Sequence, residues 1–189
     1  MSLGADIFGA WRHGWGNALR RQIASGAGEE RALGWVMVAT VLLVVAQLPA
    51  SYRNALRSID LPEQAPIAVV MTALFSLFLA PLTFYAIAAL AHLLARALGA
   101  SGPFLNARLG LFWALLCVAP LALISAVLGN SLGPSYSNPL QYVVLLAFLV
   151  IWADTMHVAE GISSRVITGL ALGGVGASIA LLVGVLSTS

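Results

Sequence analysis

Apolar residues run along this chain in long unbroken stretches, without the alternation of a surface strand or the narrow stripe of a soluble helix. Five stand out, at 32–48, 67–95, 109–128, 140–160 and 166–186. A helix crossing the hydrocarbon core of a bilayer needs about 20 mainly apolar residues, so the pattern predicts five transmembrane helices. The second stretch is longer than a straight span needs and holds Pro81, which predicts tilt or a kink. The third holds Pro120. An interior proline costs roughly 3 kcal/mol in a soluble helix, but neighbouring helices in a membrane bundle re-satisfy the freed carbonyls. Neither proline is therefore taken as a break. The fourth stretch follows Pro139, is strongly apolar to Trp152, and can continue as a helix through Asp154, His157 and Glu160.

The connections are short. Residues 51–66 are polar and carry Arg53, Arg57, Asp60 and Glu63; residues 98–106 read LGASGPFLN, a tight-turn signal; residues 129–138 read GNSLGPSYSN and carry no charge; residues 154–165 link the last two spans.

Residues 1–30 form a different unit, an arm ahead of the bundle at 31–189. At 100° per residue Ile7, Phe8, Trp11, Trp15, Leu19 and Ile23 share one broad face, while Asp6, His13, Asn17, Arg20 and Arg21 share the other, with Arg12 at the boundary and Gln22 intruding. Aromatic anchors opposite arginines predict a helix lying in the membrane interface. Gly9, Gly14 and Gly16 each weaken a helix by about 1 kcal/mol relative to Ala, so docking onto lipid or onto the bundle must stabilise it. The expected fold is an all-α membrane protein: a five-transmembrane-helix bundle with a short N-terminal amphipathic interfacial helix.

Composition agrees with this picture. Of 189 residues 60% are hydrophobic and 8% charged, with a mean hydropathy of +0.96. A soluble domain carries about 25% charged residues to hydrate its surface. Net charge is +2, which gives no basis for a nucleic-acid partner. All nine basic residues are arginine, for which a GC-rich genome is the simplest reason. The single cysteine, Cys117, sits in an apolar run and is read as packing. No secretory signal peptide is expected, because the first strong apolar run starts after Arg31 and is too long for one.

Arginine placement orients the bundle. With the N-terminus inside, Arg12, Arg20, Arg21, Arg31, Arg96, Arg108 and Arg165 are cytoplasmic and only Arg53 and Arg57 are opposite, a clear positive-inside bias. Five spans then place the C-terminus across the membrane, in the periplasm of a bacterial inner membrane.

Candidate chemistry gathers at the inner edge. His92 lies one turn before Arg96, and Asp154, His157 and Glu160 follow at three-residue spacing on one side of a helix. With Arg165 they share one depth. Imidazole and carboxylate suit a metal or a proton relay; the plainer reading pairs Asp154 and Glu160 with Arg96, Arg108 or Arg165 to fix helix packing. No ionisable residue falls at the midplane of a span, which argues against ion-coupled transport. Gly169, Gly173 and Ala177 fall in small-xxx-small register, for packing inside the bundle or in a homo-oligomer. No zinc-protease, nucleophile-elbow or phosphate-loop motif occurs, and no cofactor or enzymatic activity is expected.

The stretch 75–123, FSLFLAPLTFYAIAALAHLLARALGASGPFLNARLGLFWALLCVAPLAL, resembles the bacterial form of the Yip (Ypt/Rab-interacting protein) membrane family. The features are a proline-kinked span ending in His and Arg, a Gly-containing turn, ARLxLFW and a second proline; span count and arm are also similar. The resemblance implies a multi-pass protein without catalytic residues, from a family whose eukaryotic members bind small GTPases in membrane trafficking and shaping; the arm here is far shorter than their cytosolic domain. The expected function is a non-enzymatic bundle that binds or stabilises another membrane component, or shapes the bilayer. A small oligomeric transporter or channel is the alternative, and a membrane-embedded metal enzyme using His92, Asp154 and His157 the third.

Overall fold

The computed structural model describes residues 3–58 and 62–162. Among them the chain is helical throughout: α1 (Leu3–His13), α2 (Trp15–Ala24), α3 (Glu29–Ser58), a short 3₁₀ turn (Pro62–Gln64), α4 (Ala65–Ala97), α5 (Phe104–Leu132) and α6 (Pro134–Glu160). Four helices are long and apolar enough to cross a membrane: α3, α4, α5 and α6. The stretch 166–186, with Gly169, Gly173 and Ala177, lies outside the described residues, as does Arg165.

Every span is longer than its apolar run. The first does not end at Pro49 but continues to Ser58, so half of the expected 51–66 loop is helix. Residues 50–58 include Ala, Leu and Arg, which are strong helix formers, and Arg53 Nη1 donates to Asn130 Oδ1 of α5 at 2.7 Å. That bond ties the extension to the bundle. The second span is 65–97 instead of 67–95, and the third 104–132 instead of 109–128. The expected turn at 129–138 shrinks to Gly133, because Pro134 at the first positions of α6 suits a helix start. The fourth helix runs through Asp154 and His157 to Glu160, as its apolar pattern suggested.

Helix α5 is the central post. Every residue from Leu109 to Ala119 is buried, which requires neighbours on all sides; α3, α4, α6 and the arm helices α1 and α2 all touch it. Half of its most apolar stretch is buried, against 6% for α4. Accordingly α4 turns Ile67, Phe75, Phe78 and Leu82 outward, the composition of a lipid-facing surface. Lipid is as apolar as these side chains, so close packing must hold the helices together. Small residues allow it: at Gly110 a β-carbon would lie 3.3 Å from Ala159 Cβ and 3.3 Å from Met156 Sδ of α6. Aromatic rings fill the wider gaps, with Trp35 of α3 4.9 Å from Trp113 and Tyr85 of α4 4.9 Å from Phe112.

The arm is not one interfacial helix. It breaks at Gly14, whose φ of 95° lies where L side chains are disfavoured, and α1 folds back beside α2, with Gln22 Nε2 donating to Asp6 Oδ2 at 3.4 Å. The apolar face divides accordingly. Leu19 is buried, Ile7, Trp15 and Ile23 pack against the core, and Phe8 remains 66% exposed. The bundle, and not lipid alone, stabilises this glycine-rich segment.

The turn between α4 and α5 seats on the end of α6. Gly99 (φ 88°) closes α4 with paired bonds, Gly99 N–H to the Arg96 carbonyl at 3.0 Å and Ala100 N–H to the Ala95 carbonyl at 2.9 Å. The chain then passes so close to α6 that a β-carbon on Gly102 would lie 2.5 Å from the Ala159 carbonyl oxygen and 2.8 Å from Glu160 Cα. Gly102→Ala is expected to destabilise the bundle by about 1–3 kcal/mol through overpacking, read as a lower melting temperature in detergent. Gly34→Ala, in open space within α3, should leave the melting temperature unchanged or raise it.

Candidate functional site at the arm-bearing end

The helix ends that alternating spans bring to one side do meet. The N-termini of α3 and α5, the C-termini of α4 and α6, and the arm surround one polar region, and four contacts hold it.

The first joins α4 to α6. His92 Nδ1 lies 2.6 Å from Glu160 Oε1, with the Glu160 side chain fully buried. Removing either partner would leave a buried polar group unsatisfied, at a cost of about 1–3 kcal/mol. Arg96, exposed one turn on, acts on Glu160 electrostatically, while Glu160 Oε2 has no hydrogen-bond partner among the described residues. The second joins α3, α4 and α5. Arg108 Nη1 donates to Glu29 Oε1 at 2.7 Å, and the Tyr85 hydroxyl donates to the same oxygen at 2.9 Å. The Arg108 guanidinium also covers the Phe104 ring, 4.5 Å from its centroid, a favourable cation–π geometry. Glu29 opens α3, where a negative charge complements the helix dipole.

The other two hold the arm. Gly16 N–H donates to Asp154 Oδ2 at 2.7 Å, a charge-assisted bond made possible by the absent side chain: a β-carbon on Gly16 would lie 2.9 Å from that oxygen and 2.9 Å from Val158 Cγ2. Trp11, packed edge-on against Trp15 at 5.3 Å, donates its indole N–H to the Cys117 carbonyl at 3.1 Å. Pro120 has no N–H for the Leu116 carbonyl, and its ring crowds that turn of α5; the indole joins the helix beside this weakened stretch. Cys117 is buried with a free thiol, consistent with packing. Arg20 and Arg21 of the arm are exposed.

Among the described residues Glu160 bonds to His92, Asp154 accepts a backbone N–H of the arm, and Arg108 pairs with Glu29; the expected pairing with Arg165 lies outside the described residues. The reason is reach: Glu29 sits beside Arg108 at the start of α3, and Gly16 brings the arm's backbone against Asp154 with no side chain between. His157 joins none of these contacts, and its buried Nδ1 has no hydrogen-bond partner among the described residues. No three His, Cys, Asp or Glu side chains among the described residues are placed to hold a metal ion. Glu29, Tyr85 and Gly102 were not singled out from the sequence, and Gly16 was noted only for weakening the arm helix. Glu29 carried a signal, as an acid in a first helical turn; the two glycines carried none, since close approach is a property of the partner helix.

Comparison with known proteins finds no matching family model, curated protein or solved structure.

Removing the Asp154 carboxylate should free the arm. In Asp154→Ala, trypsin cleavage after Arg20 and Arg21 of the detergent-solubilised protein is expected to speed up about tenfold, since cutting a helix requires local opening. Asp154→Asn keeps an acceptor for the Gly16 N–H and should stay near the parent rate. Equal rates in all three would mean that the arm is held elsewhere.

Proposed function

We propose that this chain is a non-enzymatic bacterial inner-membrane protein, similar to the Yip family, that binds or stabilises another membrane component or shapes the bilayer. Its five spans include 166–186 as the fifth, with the N-terminus cytoplasmic and the C-terminus periplasmic. The observation that carries this reading is the contrast between interior and rim. Among the described residues the buried polar side chains are Thr40, Ser125, Thr155 and Glu160. Thr40 and Thr155 spend their hydroxyls on the Val36 and Trp152 carbonyls of their own helices, which leaves an apolar packed interior instead of a polar path. The polar groups and the arm meet at one end, while α4 presents a long apolar face to whatever surrounds it. A surface at one rim and a broad lateral face suit contact with neighbours better than passage of a solute.

The oligomeric transporter has one observation in its favour, a groove of about 470 Å³ between α3, α5 and α6 at the opposite end, lined in part by Gln47, Asn54, Ser125 and Gln141. Gentle detergent extraction followed by identification of co-purifying proteins separates the two readings. A reproducible membrane partner is expected. Recovery of the chain alone, together with solute flux in reconstituted vesicles, would replace this reading with the transporter. For the orientation, a reporter fused to the C-terminus should be active only in the periplasm; activity confined to the cytoplasm would reverse the topology or remove the fifth span.

A further inference from the structure

Between the arm and the bundle lies a crevice of about 810 Å³, walled by α1 and α2 and floored by the Trp35–Trp113 pair. Asp6, His13, Arg21 and Arg31 are among the polar residues that line it. Among the described residues neither Arg21 nor Arg31 is paired with a carboxylate. Arg31 Nη1 is instead steadied by two neutral acceptors, Gln22 Oε1 at 3.0 Å and Ser25 Oγ at 3.1 Å. Asp6 is engaged by Gln22, so the crevice carries two guanidinium charges against one carboxylate. Beneath the crevice the fully buried Trp113 indole N–H has no hydrogen-bond partner among the described residues, a costly state for a buried polar group.

Depth narrows what could occupy this space. Trp35 lies six residues into α3 from Glu29, about 9 Å along the helix; Trp113 lies five residues past Arg108, about 7.5 Å. Trp35 itself lies one helical turn past Arg31, so with α3 crossing a bilayer the indole falls just below this cation, in the layer where aromatic rings favour the membrane interface. Two forked cations above an aromatic floor match a phosphodiester with an apolar body beneath it.

We propose that this crevice is a binding site for one anionic phospholipid, its phosphate held by Arg21 and Arg31 and its glycerol region resting on Trp35 and Trp113. This deepens the binding reading above by naming a lipid, and the two tests fail separately, because loss of a co-purifying protein leaves lipid retention untouched. Native mass spectrometry of the full chain, titrated with phosphatidylglycerol or phosphatidylcholine in detergent, reads the site directly. One phosphatidylglycerol should be retained at concentrations where phosphatidylcholine is not. Arg21→Gln and Arg31→Gln should each weaken retention about tenfold, the loss expected for one charged hydrogen-bonding partner. Arg12→Gln, on the same arm but outside the crevice, should change it less than about twofold. Arg21 makes no hydrogen bond to another element among the described residues, so its variant tests the site without loosening the arm. Equal retention of phosphatidylcholine, or an equal effect of Arg12→Gln, would reduce the crevice to general surface charge and overturn the proposal. Displacement of the lipid by inorganic phosphate alone would overturn it in favour of a soluble anion.

Discussion

The burial of α5 from Leu109 to Ala119 is the constraint on which the rest of the structure depends. A helix sequestered on every side needs three other helices and the arm around it. In a membrane none of them is drawn there by exclusion of water, since lipid offers the same apolar environment. Close contact has to do the work, and it depends on where side chains are small. Gly110 lets α6 approach, Gly16 lets the arm approach α6, and Gly102 lets the α4–α5 turn close over the end of α6. Each is a place where a single methyl group would separate two elements.

Polar contacts complete what packing begins, and they are concentrated where they cost least to assemble. His92–Glu160, Glu29 with Tyr85 and Arg108, and Asp154 with the Gly16 N–H all lie toward one rim of the bundle. At the other rim the hydrogen bond from Arg53 to Asn130 holds the extension of α3. The bundle is thus clasped at both rims and packed between them, and the arm adds to the clasp at one rim only.

How much of this was legible follows from which signals are local. Long apolar runs announce themselves, so the four described spans were readable in kind and order, and the alternation of short-looped spans foretold which helix ends would meet. Helix limits were not readable at Pro49, because proline stops a helix only when nothing outside it supports the next turns; Arg53 and Asn130 supply that support from 77 residues apart. The arm was legible as amphipathic but not as a hairpin, since its hydrophobic face fits a lipid surface as well as it fits α5 and α6. In the polar cluster the participants were visible and the pairings were not. His92 and Glu160 were both anticipated, yet their bond depends on the register between α4 and α6, which close packing sets.

The Trp11–Cys117 hydrogen bond has a consequence for the order of events during synthesis. The two residues are 106 positions apart, and Gly16 waits even longer, 138 positions, for Asp154. At a translation rate of ~5–20 residues per second the arm has no docking partner for roughly 5–20 s after it is made. During that interval only local contacts are open to it, such as the Trp11–Trp15 pair and the bonds from Arg31 to Gln22 and Ser25. The arm is thus made well before the helices it docks on, and its docking marks the moment at which α5 and α6 are correctly in position.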